Sequence, residues 1–202
     1  MRLAITLGFE STLVIRAVAR LPRADDYILL RAYTGTEGDA KSAETAADVI
    51  KALGRGRDFV VDVRDLARGI EQLASLDFDA VALAGGPRSL VLLTFLVAAV
   101  KRRGIYLVPE YAAEPLDVAV LASVLQLSCL SEAKLRVLAE ADGSADEVAR
   151  RLGLDSSTVY RHFEDLVERG LVEAEGPRRR RYRGNEVVRA LSRIFLQAYK
   201  RS

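Results

Sequence analysis

Hydroxyl, aromatic and arginine side chains are concentrated at the start of one helical segment that follows Asp155. At helical spacing they share a polar face, while Val159 and Phe163 lie on the opposite, apolar face. Arginine can donate two hydrogen bonds to guanine, and hydroxyls suit phosphates or base edges. The polar face is therefore a candidate for contact with double-stranded DNA, although an ordinary solvated helix face has the same pattern. The candidate residues are Ser156, Ser157, Thr158, Tyr160 and Arg161.

A run of arginines comes soon after this segment. Gly176-Pro177 predicts a turn between two strands, and the return strand lies within the run. From Pro177 onward the only acidic residue is Glu186, so attraction to polyanions is local to this end of the chain. Such a run is often only a solvated surface. Beside a DNA-reading helix it can instead neutralise phosphates, and the candidates are Arg178, Arg179, Arg180, Arg181 and Arg183.

Helix-capping signals predict the elements that place these groups. Ser144 with Glu147 is a capping box that begins one helix, Gly153 suits its end, and Asp155 can cap the next helix. Two capped helices followed by a basic hairpin predict an α+β winged helix-turn-helix domain. In such a domain the second helix of the pair enters the major groove.

A last helix is predicted from Asn185 onward, with one wide apolar stripe. This stripe can dock on its own domain or pair with the same helix of a second copy, and pairing is the favoured interpretation. Its members are Val187, Val188, Leu191, Ile194, Phe195 and Ala198.

The first half of the chain alternates between short apolar runs and segments of helical periodicity. Repeated strand–helix units with apolar strands predict an α/β domain with a parallel, Rossmann-like sheet covered on both faces. The strands are predicted over 3–7, 27–33, 59–63, 79–84 and 105–109, with helices over 11–21, 43–53, 66–76 and 88–103. We expect this domain to span 1–127 and the helix-turn-helix domain to span 128–202. The apolar segment 116–127 is expected to be buried between them and to couple them.

Ligands of such sheets bind outside the carboxyl ends of the strands. The loop after the fourth strand is the strongest candidate, because Gly85 and Gly86 allow close backbone approach and Arg88 can hold a phosphate. A simple strand-to-helix turn explains this loop about equally well. The other candidate loops are Gly8-Phe9-Glu10, Thr34-Gly35-Thr36 and 62–65.

Several classes of protein are disfavoured by missing motifs. The first strand is not followed by the glycine pattern of dinucleotide-binding proteins, and no P-loop motif occurs. His162 is the sole histidine and lies in the predicted DNA-reading helix, so no histidine triad or metal site is expected. Cys129 is the sole cysteine, which excludes an internal disulfide. The apolar run 89–100 is too short to cross a bilayer, and we expect a cytoplasmic protein without a signal peptide, membrane contact or required cofactor.

Two short motifs stand at equivalent places in the predicted sheet: T-L-G-F at the end of the first strand and G-G-P-R-S-L after the fourth. Together with a C-terminal winged helix, they resemble the CRISPR-associated transcription regulators that have a CARF domain. The resemblance extends over essentially the whole chain. It implies a homodimer in which two CARF domains form one pocket on the two-fold axis.

The resemblance also implies a ligand, a cyclic oligoadenylate that is often cyclic tetra-adenylate. By motif match, one wall would be lined by Thr6, Gly8, Phe9 and Glu10, with Thr34 nearby, and phosphates and riboses would contact Gly85, Gly86, Arg88 and Ser89. The expected function is a ligand-responsive, DNA-binding regulator of CRISPR-associated genes. Two alternatives remain open: a CARF-type enzyme that cleaves its own ring, and a winged-helix repressor that senses another metabolite.

Overall fold

The computed structural model describes residues 1–112, 114–176 and 180–199 and divides the chain into two compact units, Met1–Ala119 and Val120–Ser202. The first unit alternates strands and helices, as its hydrophobic patterning predicts. Its elements are β1 (Arg2–Thr6), α1 (Thr12–Arg20), β2 (Asp26–Tyr33), α2 (Gly38–Leu53), β3 (Arg57–Asp62), α3 (Leu66–Ala74), β4 (Ala80–Leu83), α4 (Arg88–Val100), β5 (Gly104–Leu107) and β6 (Leu116–Asp117).

The sheet of this unit has the strand order β3-β2-β1-β4-β5-β6. Strands β1 to β5 are parallel, and β6 is antiparallel to β5. The predicted parallel α/β sheet is therefore confirmed, with an additional short edge strand. The strand order reverses between β1 and β4, so the crevice that such folds use for ligands opens at the carboxyl ends of these two strands.

Both faces of the sheet are covered by helices. On one face, Val14 and Ala17 of α1 and Ala46 and Val49 of α2 are fully buried in a core shared with β1, β2 and β4. Helices α3 and α4 pack against each other and contact β3 and β4, respectively. Sequence periodicity predicts α2 from 43, but the helix begins at Gly38. The loop before α2 is consequently shorter than predicted, and the first turn of α2 lies beside the crevice.

The second unit is a winged helix-turn-helix. It contains a 3-10 turn (Ala119–Ser123), α5 (Val124–Leu127), α6 (Glu132–Ala139), β7 (Asp142–Gly143), α7 (Ala145–Leu152), α8 (Ser156–Glu168), β8 (Val172–Glu175), β9 (Arg181–Gly184) and α9 (Glu186–Tyr199). Strand β9 pairs with both β7 and β8. We call the antiparallel pair of β8 and β9, together with Arg180 just before β9, the wing. Strand β7 was not predicted, because its two residues are too few to show a pattern.

The division between the units lies earlier in the chain than the predicted boundary at 127/128. Leu127 is fully buried in the core of the second unit, and Val120 packs against that core. The prediction that 116–127 is buried is wrong for Leu116, Leu121, Val124 and Leu125, whose exposed fractions are 36–43%. The short helical turns direct Ser123 and Leu127 inward and leave Leu121, Val124 and Leu125 on the outside, whereas Leu116 is exposed on the edge strand β6. Within the described part of the chain, none of the helices has the length and apolar character needed to span a bilayer.

Candidate ligand pocket and nucleic-acid interface

The floor of the candidate pocket joins the carboxyl ends of β1 and β4. The Thr6 hydroxyl accepts hydrogen bonds from the backbone N–H groups of Ala84 and Gly85, at 3.0 and 3.2 Å. Thr6 is fully buried, so its side chain ties the two strand ends together and does not face the pocket. The adjacent loops are thereby held at fixed positions on the two sides of the crevice.

Glycine is required where these two loops meet. A Cβ on Gly8 would lie 2.8 Å from the backbone nitrogen of Gly86, closer than real contacts allow. Gly86 has a φ of 92°, and its own Cβ would lie 2.7 Å from the carbonyl oxygen of Leu7. A side chain at Gly86 is disfavoured both by its backbone conformation and by this contact. The floor thus presents backbone atoms to whatever occupies the crevice.

One wall is formed by the loop before α2 and by the first turn of that helix. The Asp39 carboxylate accepts hydrogen bonds from the backbone N–H groups of Thr34 and Gly35, at 2.9 and 2.8 Å, and from the Thr34 hydroxyl at 2.7 Å. These hydrogen bonds lower the pKa of Asp39 below its ordinary value, and the one from the Thr34 hydroxyl contributes most. The phenyl ring of Phe9 packs so closely on Gly38 that a Cβ there would lie 2.9 Å from the ring.

The other wall is the loop after β5. One guanidinium nitrogen of Arg16 donates to the carbonyl oxygens of Pro109 and Ala112, at 2.7 and 2.9 Å. This contact anchors the loop to α1 and places Glu110 at the edge of the pocket.

The pocket enclosed by these walls has a volume of about 650 Å³. Three of its lining residues are acidic, Glu10, Asp39 and Glu110, and none is lysine or arginine among the described residues that line it. Lys41 stands just outside, with its amino group 5.2 Å from the centroid of the Phe9 ring. The lining consists of Leu7, Gly8, Phe9, Glu10, Leu13, Ala32, Thr34, Thr36, Gly38, Asp39, Ser42, Ala84, Gly85, Gly86, Pro87 and Glu110.

The second candidate site is a groove of about 1560 Å³ in the helix-turn-helix unit. It lies between the starts of α7 and α8 and residues 180–182 of the wing. Side-chain hydrogen bonds fix both helix starts. Ser144 and Glu147 form the predicted capping box, and Asp155 accepts from the backbone N–H groups of Ser157 and Thr158. Hydrogen bonds lower the pKa of Asp155, with the largest contribution from the Ser157 side chain and smaller ones from these backbone groups. This cap therefore stays ionised near neutral pH.

Glu164 holds the return strand of the wing against α8. One guanidinium nitrogen of Arg180, Nη1, donates to both Glu164 carboxylate oxygens, at 2.8 and 3.1 Å, and the Tyr182 hydroxyl donates to Oε1 at 3.2 Å. The Tyr182 ring stacks on Phe163 with centroids 4.2 Å apart, and Tyr160 meets it edge-on at 6.4 Å. Burial and the Glu164 contact raise the pKa of Tyr182, so its hydroxyl remains protonated.

Comparison with known proteins separates the chain at the same place as the structure does. Residues 1–119 match the model of the Csa3 CRISPR-associated Rossmann-like domain. The chain belongs to the Csa3 family. Residues 135–176 match the IclR helix-turn-helix domain. The CRISPR locus-related protein Csa3 of Thermoproteus tenax is 43% identical over 197 residues, which cover 96% of this chain and 97% of that protein.

Two solved structures are similar at low identity. Can2 from Sulfobacillus thermosulfidooxidans, in complex with cyclic tetra-adenylate, has a TM-score of 0.45 at 11% identity, covering 98% of this chain and 63% of Can2. Protein VC1899 from Vibrio cholerae has a TM-score of 0.44 at 11% identity, covering 95% of this chain and 63% of that protein. The T-L-G-F and G-G-P-R-S-L motifs indicate a resemblance to CARF-domain regulators, and the Csa3 match confirms it.

Most predicted ligand residues of this Csa3-family chain come together in the pocket. Gly8, Phe9, Glu10, Thr34, Gly85 and Gly86 line it. Thr6 lies beneath the floor, and neither Arg88 nor Ser89 is among the lining residues; Arg88 is exposed at the start of α4 and Ser89 is half-buried. Sequence reasoning missed Asp39, Ser42 and Glu110. Continuing the helical periodicity of α2 back to Gly38 would have indicated the first two.

The predicted DNA-contacting residues do not all lie at the groove. Ser156, Ser157, Tyr160, Arg161, Arg180 and Arg181 line the groove, whereas Thr158 and Arg183 are exposed outside it. Arg178 and Arg179 lie outside the described residues. The Ser156 hydroxyl donates to Asp146, and the Ser157 hydroxyl donates to Asp155, so both are already engaged within the protein. Sequence reasoning missed Arg150 and the carboxylates of the groove.

Proposed function

We propose that this Csa3-family protein is a transcription regulator of CRISPR-associated genes that binds double-stranded DNA and responds to a cyclic oligoadenylate. The observation that carries the proposal is the presence of two separate sites in one chain. A pocket lies at the switch point of the Rossmann-like unit, and an arginine-bearing groove lies on the helix-turn-helix unit. The Thermoproteus tenax relative also carries DNA binding in its name.

The groove suits DNA because it combines a recognition-helix start with guanidinium groups. Tyr160 and Arg161 are exposed on α8, where the first residues of such a helix reach base edges. Arg150 and Arg181 line the same groove and can neutralise phosphates.

The pocket suits a nucleotide ring in a particular way. Its apolar lining and the exposed Phe9 ring can take up nucleobases, while its carboxylates repel phosphates from the interior. Phosphates would therefore lie at the rim, against backbone N–H groups at the start of α4, Arg88 and Lys41. Cyclic tetra-adenylate is the ring we propose.

A two-fold ligand calls for a homodimer, and α4 offers the surface for one. Leu92, Leu96 and Val100 form an apolar stripe on this helix, with exposed fractions of 67%, 39% and 66%. The stripe runs directly on from the pocket loop at Gly85-Gly86. A second copy packed on it would bring two pockets together around one axis, as a closed two-fold interface requires. In the second unit, Val187 and Ile194 are exposed on one side of α9 and offer that unit its own apolar surface for pairing.

The deciding experiment is calorimetric titration of cyclic tetra-adenylate into the purified protein. We expect one ring to bind per two chains and Arg88→Ala to weaken binding at least tenfold. Arg103→Ala is the matched control, because it removes the same charge beyond the opposite end of α4. If the unchanged protein does not bind the ring, the proposed ligand is wrong. Mass spectrometry of the same samples tests the cleavage alternative, since linear products would identify an enzyme.

Coupling between the two sites has its own test. A ligand changes DNA affinity only if it binds one quaternary arrangement better than another. We expect saturating cyclic tetra-adenylate to change the affinity for CRISPR promoter duplexes measured by fluorescence anisotropy. Equal affinity with and without the ring would show that the protein is not ligand-responsive in this sense.

A further inference from the structure

Glu164 occupies an unusual place for an acidic residue in a domain that faces DNA. It lies on α8, the same helix that carries Tyr160 and Arg161. Its carboxylate accepts hydrogen bonds from two residues of the wing, Arg180 and Tyr182. Arg180, one of these two residues, lines the groove. The pairing thus joins the recognition helix to the wing beside the groove proposed to bind DNA.

The contact engages only part of the Arg180 guanidinium. Both hydrogen bonds to Glu164 involve Nη1, so Nε and Nη2 of Arg180 take no part in the contact with that carboxylate. The Glu164 contact also raises the pKa of Arg180 above its ordinary value, which keeps this guanidinium charged. Arg180 can therefore still donate to a phosphate, but the pair brings no net charge to the groove.

We propose that Glu164 limits sequence-independent DNA binding by cancelling the charge of Arg180 in the wing. The inference rests on the proposed DNA-binding function and adds a residue that sets its specificity. Sequence-independent affinity comes from phosphate neutralisation and depends on the number of uncancelled cations. A carboxylate beside one cation lowers that number by one and leaves the hydrogen-bonding geometry in place.

A purely structural role for Glu164 is a poorer account of these contacts. Tyr182 is fully buried and stacks on Phe163, so the return strand of the wing is fixed to α8 by apolar packing. Strand pairing between β8 and β9 holds the wing as well. Glu164 and Arg180 are both partly exposed, with exposed side-chain fractions of 38% and 46%, and an exposed ion pair adds little stability.

The test is the salt dependence of binding to a random-sequence 30-base-pair duplex, measured by fluorescence anisotropy with the full-length protein. We expect Glu164→Gln to steepen the slope of log affinity against log salt by about 0.9, the value for one further neutralised phosphate. The same gain corresponds to about eightfold tighter binding at 0.1 M salt and about threefold at 0.3 M. Glu168→Gln is the control, because Glu168 is exposed on the same helix and does not line the groove.

Two further variants separate charge from folding. Arg180→Gln leaves Glu164 uncancelled and should flatten the slope by about the same amount, about 0.9. The double variant should return to the slope of the unchanged protein, which a misfolded wing would not do. The proposal is overturned if Glu164→Gln matches Glu168→Gln, or if the double variant keeps the slope of the Glu164 single variant. Failure of the unchanged protein to bind any duplex would instead reject the proposed function.

Discussion

The pocket and the groove are built in opposite ways. The pocket depends on the absence of side chains, since Gly8 and Gly86 let the loops after β1 and β4 touch and Gly38 leaves room for the Phe9 ring. The groove depends on side chains that hold one another, as in the Ser144–Glu147 capping box and the contact of Glu164 with Tyr182. Adding an atom should therefore damage the pocket, and removing one should damage the groove.

The two sites also differ in charge. In the described structure the pocket is lined by three carboxylates and no cation, whereas the groove mixes carboxylates with arginines. A phosphate-bearing ligand must then be held at the pocket rim by backbone groups and by residues outside the lining. A polyanion at the groove meets cations directly, and nearby carboxylates set how strongly it is attracted.

The largest expected effect comes from removing a side chain beneath the groove. Phe163 is fully buried and stacked on Tyr182, so Phe163→Ala should destabilise the second unit by about 4 kcal/mol, through lost burial and a cavity. Hydrogen exchange followed by mass spectrometry should show lost protection in α6, α8 and β9 but unchanged protection in β1 and β4. Tyr111→Ala, at an 87% exposed site, is the control and should change stability by less than about 0.5 kcal/mol. Equal loss of protection in both units would contradict independent construction of the two sites.

The opposite experiment adds one methyl group to the pocket floor. Gly86→Ala combines a left-handed backbone with a 2.7 Å approach to the Leu7 carbonyl oxygen, and should destabilise the first unit by about 3 kcal/mol. Gly54→Ala also places alanine at a positive φ, 66°, but no atom lies within 4 Å of its Cβ, so it should cost only about 1 kcal/mol. Thermal unfolding of both variants checks the difference. Equal losses would show that conformation alone, and not the contact with Leu7, makes glycine necessary.

Local features of both sites could be predicted from the sequence. The caps at Ser144 and Asp155 are formed by hydrogen bonds to residues two or three positions away, so residue type and spacing were sufficient. The pocket position followed from the rule for parallel sheets, because Gly8 and Gly85-Gly86 come directly after two strands that prove to be neighbours.

Contacts between residues distant in sequence could not be predicted in this way. Glu110 reaches the pocket because Arg16, on α1, anchors the loop that carries it. Glu164 and Arg180 meet only after the wing folds back on α8. The apolar composition of 116–127 predicts burial throughout, but Leu121, Val124 and Leu125 are exposed while Leu127 is buried, because composition does not reveal which face the second core uses.

A smaller loss is expected when one cap of the groove is removed. Ser144→Ala deletes the acceptor for the Glu147 N–H and breaks the capping box, which should destabilise the second unit by about 1 kcal/mol. Ser144→Asp keeps an acceptor at the same place and should restore most of the loss. Urea unfolding followed by circular dichroism measures both variants. No loss in the alanine variant would show that water replaces the cap at no cost.

The smallest expected effect concerns a single hydroxyl and sharpens the contrast between packing and hydrogen bonding in the groove. Tyr182→Phe keeps the stack on Phe163 but removes the hydrogen bond to Glu164, and should cost about 0.5 kcal/mol near pH 8. Because burial and Glu164 raise the folded-state pKa of Tyr182 above its ordinary value near 10, this phenol ionises first in the unfolded chain.

The stabilisation from Tyr182 is therefore complete below about pH 10 and is lost as the pH rises through the folded-state pKa. Other groups titrate equally in both proteins, so the difference between the unchanged protein and Tyr182→Phe isolates this phenol. Urea unfolding at intervals between pH 8 and pH 11 should show the advantage of the unchanged protein shrinking from pH 10 upward. A constant difference over that range would mean that the folded protein does not resist ionisation of Tyr182, and a difference of zero at pH 8 would mean that its hydroxyl does not stabilise the wing.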